Sequence, residues 1–395
     1  MAKRARVHSR DLQPQIATPQ GLIAAARVQR FDFPMTNATT AIDELGRVLH
    51  VGVTKQIPEV TVTMEAFDVS HNTYSHLTGY TPATFPVSGV SITEFKSADV
   101  IGQIRDSSTK NIVNALYVKR ATVTGMDASF GVSDNSTVTY TFSSNSKKEF
   151  RQPVFYQKST LTTTSGTIVL TNTPTYLTRT SGYIISAYRT GTDGSTGYID
   201  EGTDFTVGGS TLTFTGSNVA ANDVIWVTYC STATKQFEAL DDVAPAAVQG
   251  KYVPLTISVN DIKRVQSATV RVAFSSEQIL EMGGLGKPVG YELGIPSVTG
   301  DISVLKTDND LLAILEGVPN TTVENDMEFA LDTLSLKIQL RNPANPSQIL
   351  LTYYVPSFTI TAEGDSDSVN QSMNETFSWE SKTGELLVVS GAGPY

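Results

Sequence analysis

Cysteine is nearly absent. Cys230 is the only one in 395 residues, so no disulfide can form within the chain, which fits synthesis in a reducing compartment. Long apolar runs are also missing, and nothing approaches the roughly 20 residues of a membrane span. The segment "GLIAAARV" (Gly21–Val28) follows a basic start but makes a poor apolar region, and no convincing cleavage site follows it. The expectation is a soluble protein with no membrane contact, made and folded in the cytoplasm. Histidine is scarce, with 4 in the chain, and charged residues make up only 17%. That charge content is low for a helical protein.

The charge is unevenly placed. Residues 1–30 hold Lys3, Arg4, Arg6, Arg10, Arg27 and Arg30 against Asp11 alone, so a net charge of −10 leaves −15 for the rest. An acidic body excludes ordinary nucleic-acid binding, which needs cations to displace counterions from phosphate. The basic start reads either as an arm for an acidic neighbour or as a solvated terminus.

What the chain does have is Thr, Ser, 29 Gly, 17 Pro, 15 Tyr and 16 Phe, a mixture that favours strands joined by tight turns. Its length suggests two or three domains. It also repeats itself. "IPEVTVTMEAFDVSHNTYSHLTG" (Ile57–Gly79) returns as "IPSVTGDISVLKTDNDLLAILEG" (Ile295–Gly317). Arg27–Gln29 matches Arg264–Gln266, and Ile42, Glu44 and Gly46 match Ile279, Glu281 and Gly283. Arg105, Tyr117, Thr122 and Thr124 fall on Arg341, Tyr354, Thr359 and Thr361. "TFS" at Thr141–Ser143 is placed on "TFS" at Thr376–Ser378.

Each repeat reads as an opening strand, a short helical turn, an alternating strand, a short helix and two further strands. The helical turn is placed by capping-box spacing at Thr40 and Asp43, and again at Ser275 and Gln278. In the alternating strand Val60, Val62 and Met64 share one face. The helix in "TDNDLLAILEG" presents Leu311, Leu312 and Leu315 and stops at glycine. "NPANP" supplies a turn between the last strands. Between the repeats, residues 155–232 are short Thr/Tyr/Val strands broken by Gly, Asn and Asp, the pattern of a small all-β sandwich or barrel.

Few residues suggest chemistry. His71 and His76 are five apart, too few ligands for zinc. Cys230 has no neighbouring base and reads as a buried structural thiol. "GGLGK" (Gly283–Lys287) has the wrong spacing for a phosphate loop, and Pro288 stands where Ser or Thr should follow. Asp200, Glu201 and Asp204 could either hold calcium or build a hairpin tip, and "GDSDS" (Gly364–Ser368) has the same two readings. With no nucleophile–base set, no catalytic, cofactor or metal residue is assigned, and no enzyme is expected.

The run "AIDELGRVLHVGVTKQIPEVTVTMEAFDVS…LTG" resembles the tail tube (major tail) proteins of long-tailed bacteriophages, and fainter likeness recurs in the second repeat. The resemblance implies a virion structural protein of mainly β (α+β) class. It would carry two tandem tail-tube β-sandwich or barrel domains, each with a short helix, and an inserted immunoglobulin-like domain. The boundaries expected are 1–26 for an N-terminal arm, 27–150 for repeat 1, 155–232 for the insert and 233–263 for a linker. Repeat 2 is expected at 264–382 and a C-terminal tail at 383–395. Most members of that family carry one such domain and form six-chain rings; two per chain implies trimeric, pseudo-hexameric rings. Stacked rings would form the tube of a non-contractile tail, passing DNA through the lumen at ejection without specific binding. Tape measure, tail terminator and tip proteins are the further partners implied. The alternatives are a capsid decoration, a baseplate or distal tail component, or a β-rich adhesin. The insert is expected to be self-contained and dispensable for assembly.

Overall fold

The computed structural model describes residues 9–393 except 38, 43–51, 56–57, 68–69, 87, 164–165, 193–195, 215–218, 241–244, 246, 281–287, 307–309, 319–330, 332–333 and 367–372. The fold is mainly β. It begins with β1 (Leu12–Thr18), β2 (Gly21–Ala24), β3 (Val28–Asp32), β4 (Met35–Thr36) and β5 (Thr39–Ile42). Next come β6 (Gly52–Lys55), β7 (Glu59–Ala66), helix α1 (Asn72–Thr78), β8 (Val90–Ser91) and β9 (Ala98–Arg105). β10 (Ile112–Gly131), β11 (Thr137–Ser144) and β12 (Lys147–Phe150) complete the first repeat.

The insert contributes β13 (Val154–Thr160), β14 (Thr167–Val169), β15 (Ile184–Thr190) and β16 (Thr196–Tyr198). β17 (Phe205–Gly208), β18 (Thr211–Phe214) and β19 (Val224–Cys230) close it. The second repeat has β20 (Leu255–Ile257), β21 (Asn260–Ile262), β22 (Val265–Ala273), β23 (Ser276–Leu280) and β24 (Pro288–Leu293). It ends with β25 (Ser297–Leu305), helix α2 (Asp310–Glu316), β26 (Leu334–Asn342), β27 (Asn345–Ser366), β28 (Asn374–Ser381) and β29 (Leu387–Ser390).

The two repeats share strand order and register. One sheet runs β2-β1-β9-β10-β12, and its counterpart runs β21-β20-β26-β27-β29. The other runs β3-β7-β11-β10, matched by β22-β25-β28-β27. Irregularities recur at matched places, between Val28 and Arg30 as between Val265 and Ser267, and between Val123 and Gly125 as between Ile360 and Ala362.

Local details repeat too. Arg27 and Arg264 both take left-handed backbone (φ 57° and 61°), and each carbonyl accepts from the glutamine two residues on, at 3.0 and 3.1 Å. α1 and α2 stop at Gly79 and Gly317, where φ of 96° and 71° suits a residue without Cβ. Pro58 and Pro296 each precede the alternating strand. In that strand Val60, Val62 and Met64 are buried as the alternation requires. Val62 and Phe142 correspond to Gly300 and Trp379, a volume exchange: a Cβ on Gly300 would stand 2.5 Å from the Trp379 ring.

Several expectations need correction. The capping-box spacings do not make helical turns: Thr39–Ile42 and Ser276–Leu280 are strands of the hairpins β5–β6 and β23–β24, with Ile42 opposite Gly52 and Ile279 opposite Gly290. Asp43 lies outside the described residues. The "TFS" match is two residues out, because Thr63 pairs with Thr141 whereas its counterpart Asp301 pairs with Ser378. A slip of two preserves the face, so hydrophobic alternation could not reveal it. Within the expected 1–26 arm, Leu12–Ala24 is the hairpin β1–β2; the expected linker 233–263 likewise contains β20 and β21, and the expected tail 383–395 contains β29. No barrel closes, because the pairings among the described residues never return to their starting strand.

By internal contacts the chain divides into two compact units. The first is Met1–Ala25, Ala98–Ala121 and Ser146–Asp241; the second is Ala26–Ser97, Thr122–Asn145 and Asp242–Tyr395. Within the first unit the insert is a seven-stranded sandwich of sheets β13-β19-β15-β16 and β14-β18-β17. Its core includes Ile168, Phe205, Leu212, Phe214, Ile225 and Val227. The strand partition is not that of an immunoglobulin constant domain, whose first, second, fourth and fifth strands share a sheet.

Nor is the insert self-contained. Val154, Ile185 and Cys230 pack on Ala17, Ile101, Ala115 and Tyr117 of the β1-β9-β10 sheet, and Gln103 Nε2 donates to the Val154 carbonyl at 2.7 Å. Both faces of β9 are therefore buried from Ala98 to Gln103, whereas β26 alternates buried and half-exposed. The sequence follows suit, with Ile101 and Ala115 replaced at the matched positions by Lys337 and Thr352. The segment after the insert is also held: Glu238 N–H donates to Gln13 Oε1 at 3.0 Å, and the Arg105 guanidinium lies over Phe237.

Asp99 is buried at this packed face, accepting from the Tyr117 hydroxyl and from the Arg120 N–H at 2.8 Å. Burial raises its pKa above the usual carboxylate range. Folding therefore favours the protonated form, and the stability so gained is full below an unfolded value of about 3.9 and lost as pH rises through the folded value. Asp99→Asn should flatten that decline in melting temperature; an unchanged slope would count against it. Excising 154–230, whose ends pair at Val154 and Cys230, should leave an aggregating or weakly folded chain. Ile101→Lys with Ala115→Thr should restore solubility, and a deletion equally stable without them would refute the shared core.

Candidate functional site

The residues singled out for chemistry do not converge. His71 precedes α1 and packs on Phe85 with ring centroids 4.9 Å apart, while His76 is buried in the helix. Burial pushes the Cys230 thiol up to about 12, so it is inert at neutral pH. Glu201 Oε2 accepts from the Tyr183 and Ile184 N–H groups at 2.7 and 2.9 Å, and Asp204 Oδ2 accepts from Asp200 N–H at 2.8 Å. These carboxylates build the turn rather than face a common centre. Gly283–Lys287 lies outside the described residues.

Among the described residues one acidic group does converge: Glu363, Asp365 and Glu375, with carboxylate oxygens within 4.8 Å. Lys306 Nζ already bridges it, 2.9 Å from Asp365 and 3.2 Å from Glu375. Sequence reading reached only "GDSDS"; Glu363 and Glu375 join through strand pairing, which no local motif encodes.

The most developed feature is the joint between repeats. The outermost strand of one four-stranded sheet, β10, pairs with the outermost strand of the other, β22, Gly125–Gly131 running antiparallel to Ser267–Ala273. Phe274 N–H extends the ladder to the Thr124 carbonyl at 2.9 Å. Eight strands thus form one sheet, β3-β7-β11-β10-β22-β25-β28-β27. A second ladder crosses the repeats where Val90 and Ser91 pair with Val388 and Leu387. Over the sheet, the Tyr74 hydroxyl of α1 lies 3.0 Å from the Tyr353 hydroxyl of repeat 2, and Tyr353 packs edge-on against Phe130. Met126, Ala128 and Val138 are buried beneath.

Both ends of this sheet are left open among the described residues. β3 and β4 pair only with β7, and Thr359–Ser366 pairs only with β28. Thr61 N–H donates to the Pro34 carbonyl at 3.2 Å, so the backbone groups of Pro34 face β7 and its missing N–H costs the outer edge nothing. Phe33 and Met35 turn theirs outward, as their counterparts Val270 and Val272 do towards β10.

A scan against models of protein families finds no match, and no curated protein matches the chain. The joint is therefore weighed on its own geometry. Tyr353→Ala should destabilise the chain by roughly 3–5 kcal/mol, as for a large buried aromatic. Its counterpart Leu116, half-exposed in the single chain, should cost far less on Leu116→Ala. Equal losses in denaturant unfolding would contradict this asymmetry.

Proposed function

We propose that this chain is a structural virion protein, a tail tube subunit whose two repeats are tube domains. Three chains would close a ring of six repeats, and rings would stack into a hollow tube that conducts DNA. The observation carrying this reading is the joint itself. Repeat 1 presents the sheet-edge strand β10 to β22 of repeat 2, and the outer strands left over, β27 and β3, are the matching pair. A head-to-tail contact of this kind forms a closed ring when its rotation closes. Closure also removes both open edges, which otherwise invite aggregation.

One face of the eight-stranded sheet supports a conduit. Alternation places Thr61, Thr63, Thr139, Thr141, Ser303 and Thr376 there, half-exposed. The charges on that face include Glu59, Glu65, Asp127, Asp301 and Glu380 against Arg30 and Arg271. An acidic, hydroxyl-rich wall does not pair with passing phosphates. The insert is then a decoration fused to the side of repeat 1.

Carrying the internal register outward puts Ala362 of one chain opposite Thr36 of the next, as Gly125 stands opposite Ala273. Ala362→Cys with Thr36→Cys should yield disulfide-linked multimers, whereas Ala362→Cys with Met35→Cys, one residue out of register, should not. Cys230 is buried and stays silent. Electron microscopy should show rings of three chains. Six chains per ring, a lumen lined mainly by Lys and Arg, or no oligomer at any concentration would overturn the reading.

A further inference from the structure

The joint inside the chain and the joint proposed between chains are not chemically alike. The repeats share strand order and register, so each buried residue of the internal joint has a counterpart at the outer edge. Val138 stands opposite Ala66 in β7, and Glu375 stands opposite Val304, the counterpart of Ala66, in β25. By the same registers, Met126 and Ala128 correspond to Glu363 and Asp365. Three apolar side chains, each 1% exposed, are thus matched by three carboxylates. Glu363 and Asp365 are exposed, and Glu375 is buried beside a cleft of about 500 Å³ along α2.

We propose that the Glu363–Asp365–Glu375 face is an assembly surface for a second copy of this chain, held in check by its own charge. The proposal rests on the ring reading above. Its occupant is fixed by continuity with the internal joint: β3 and β4 of the neighbouring chain, in the register that β22 adopts on β10. Docking removes water from Glu363 and Asp365, which with the buried Glu375 have one ammonium among the described residues, Lys306, so the excess negative charge opposes closure. The internal joint, with Met126, Ala128 and Val138, carries no such penalty. A chain built this way folds its internal joint unaided and closes the outer one only when the excess charge is neutralised.

The charged groups beside the cluster are Lys306 just after β25 and Asp261, Lys263 and Arg264 along the cleft; on the incoming edge Arg30 and Asp32 stand opposite Glu65 and Thr63 and so lie on the other face of the sheet. Burial and the neighbouring Glu375 raise the Glu363 carboxyl above its usual range. Mild acid therefore neutralises Glu363 before an ordinary glutamate, and association strengthens as pH falls.

Full-length wild-type chain and the triple variant Glu363→Met, Asp365→Ala, Glu375→Val test this by sedimentation and electron microscopy at pH 5 and pH 8. Wild type should associate at least tenfold more tightly at pH 5. The triple variant, which copies the internal joint, should assemble at least tenfold more tightly than wild type at pH 8 and lose most of the pH dependence. If the variant misfolds, Glu363→Gln alone should show the same shift, smaller in size. Rings that form equally well for wild type and variants at both pH values would overturn the charge-gated joint while leaving the ring reading intact. No rings from any chain at either pH would overturn both.

Discussion

An unpaired strand edge is a row of amides and carbonyls that must be satisfied by water or by another strand. In this chain the longer ladder between the repeats, between Gly125–Gly131 and Ser267–Ala273, meets that constraint. Much of the second unit follows from it. The ladder joins two four-stranded sheets into one, and it aligns their apolar faces. It also brings Tyr353 of repeat 2 over Tyr74 and Phe130 of repeat 1. Among the described residues, β3 and the far half of β27 are each left with a strand on one side only. The edges that a ring would close are a consequence of the joint that the chain makes for itself.

The repeat was legible because strand alternation and backbone exceptions both survive divergence. Arg27 and Arg264 are the same letter in the same left-handed conformation, and Gly79 and Gly317 end the same helix. Thr40, Asp43, Ser275 and Gln278 misled, because capping-box spacing also occurs by chance in strands; tertiary pairing overrode it. The "TFS" match misled for a different reason, since the two-residue period hides an even slip. The insert's strands were readable, but its shared core was not. That Ile101 and Ala115 pack on Val154 and Cys230 depends on a contact between distant segments. The one clue lay in comparing repeats, where Ile101 is matched by Lys337.

The acidic group shows the same limit at the candidate site. Asp365 belongs to a visible acidic stretch, yet Glu375 sits across the β27–β28 pairing and Lys306 at the end of β25. Each was an ordinary surface charge in the sequence. Only register makes them neighbours, and only the matched registers of the two repeats make them the counterparts of Met126, Ala128 and Val138. No single motif carries the meaning; the difference between two copies does.

Duplication within one chain permits that difference. A ring of identical single-repeat subunits must use the same residues at every joint, so a change that weakens one weakens all. Two repeats in one chain free the joints to diverge. One can be apolar and permanent, its loop-closure cost lowered by the covalent link. The other can be polar enough to keep unassembled chains apart. The insert follows the same logic. It covers a face of repeat 1 that is apolar at Ile101 and Ala115, while repeat 2 has Lys337 and Thr352 at the matched places, and Lys337 is half-exposed. On the proposed ring, a decoration on one repeat in two and a charge on one joint in two would be variations that a single-repeat ring could not express.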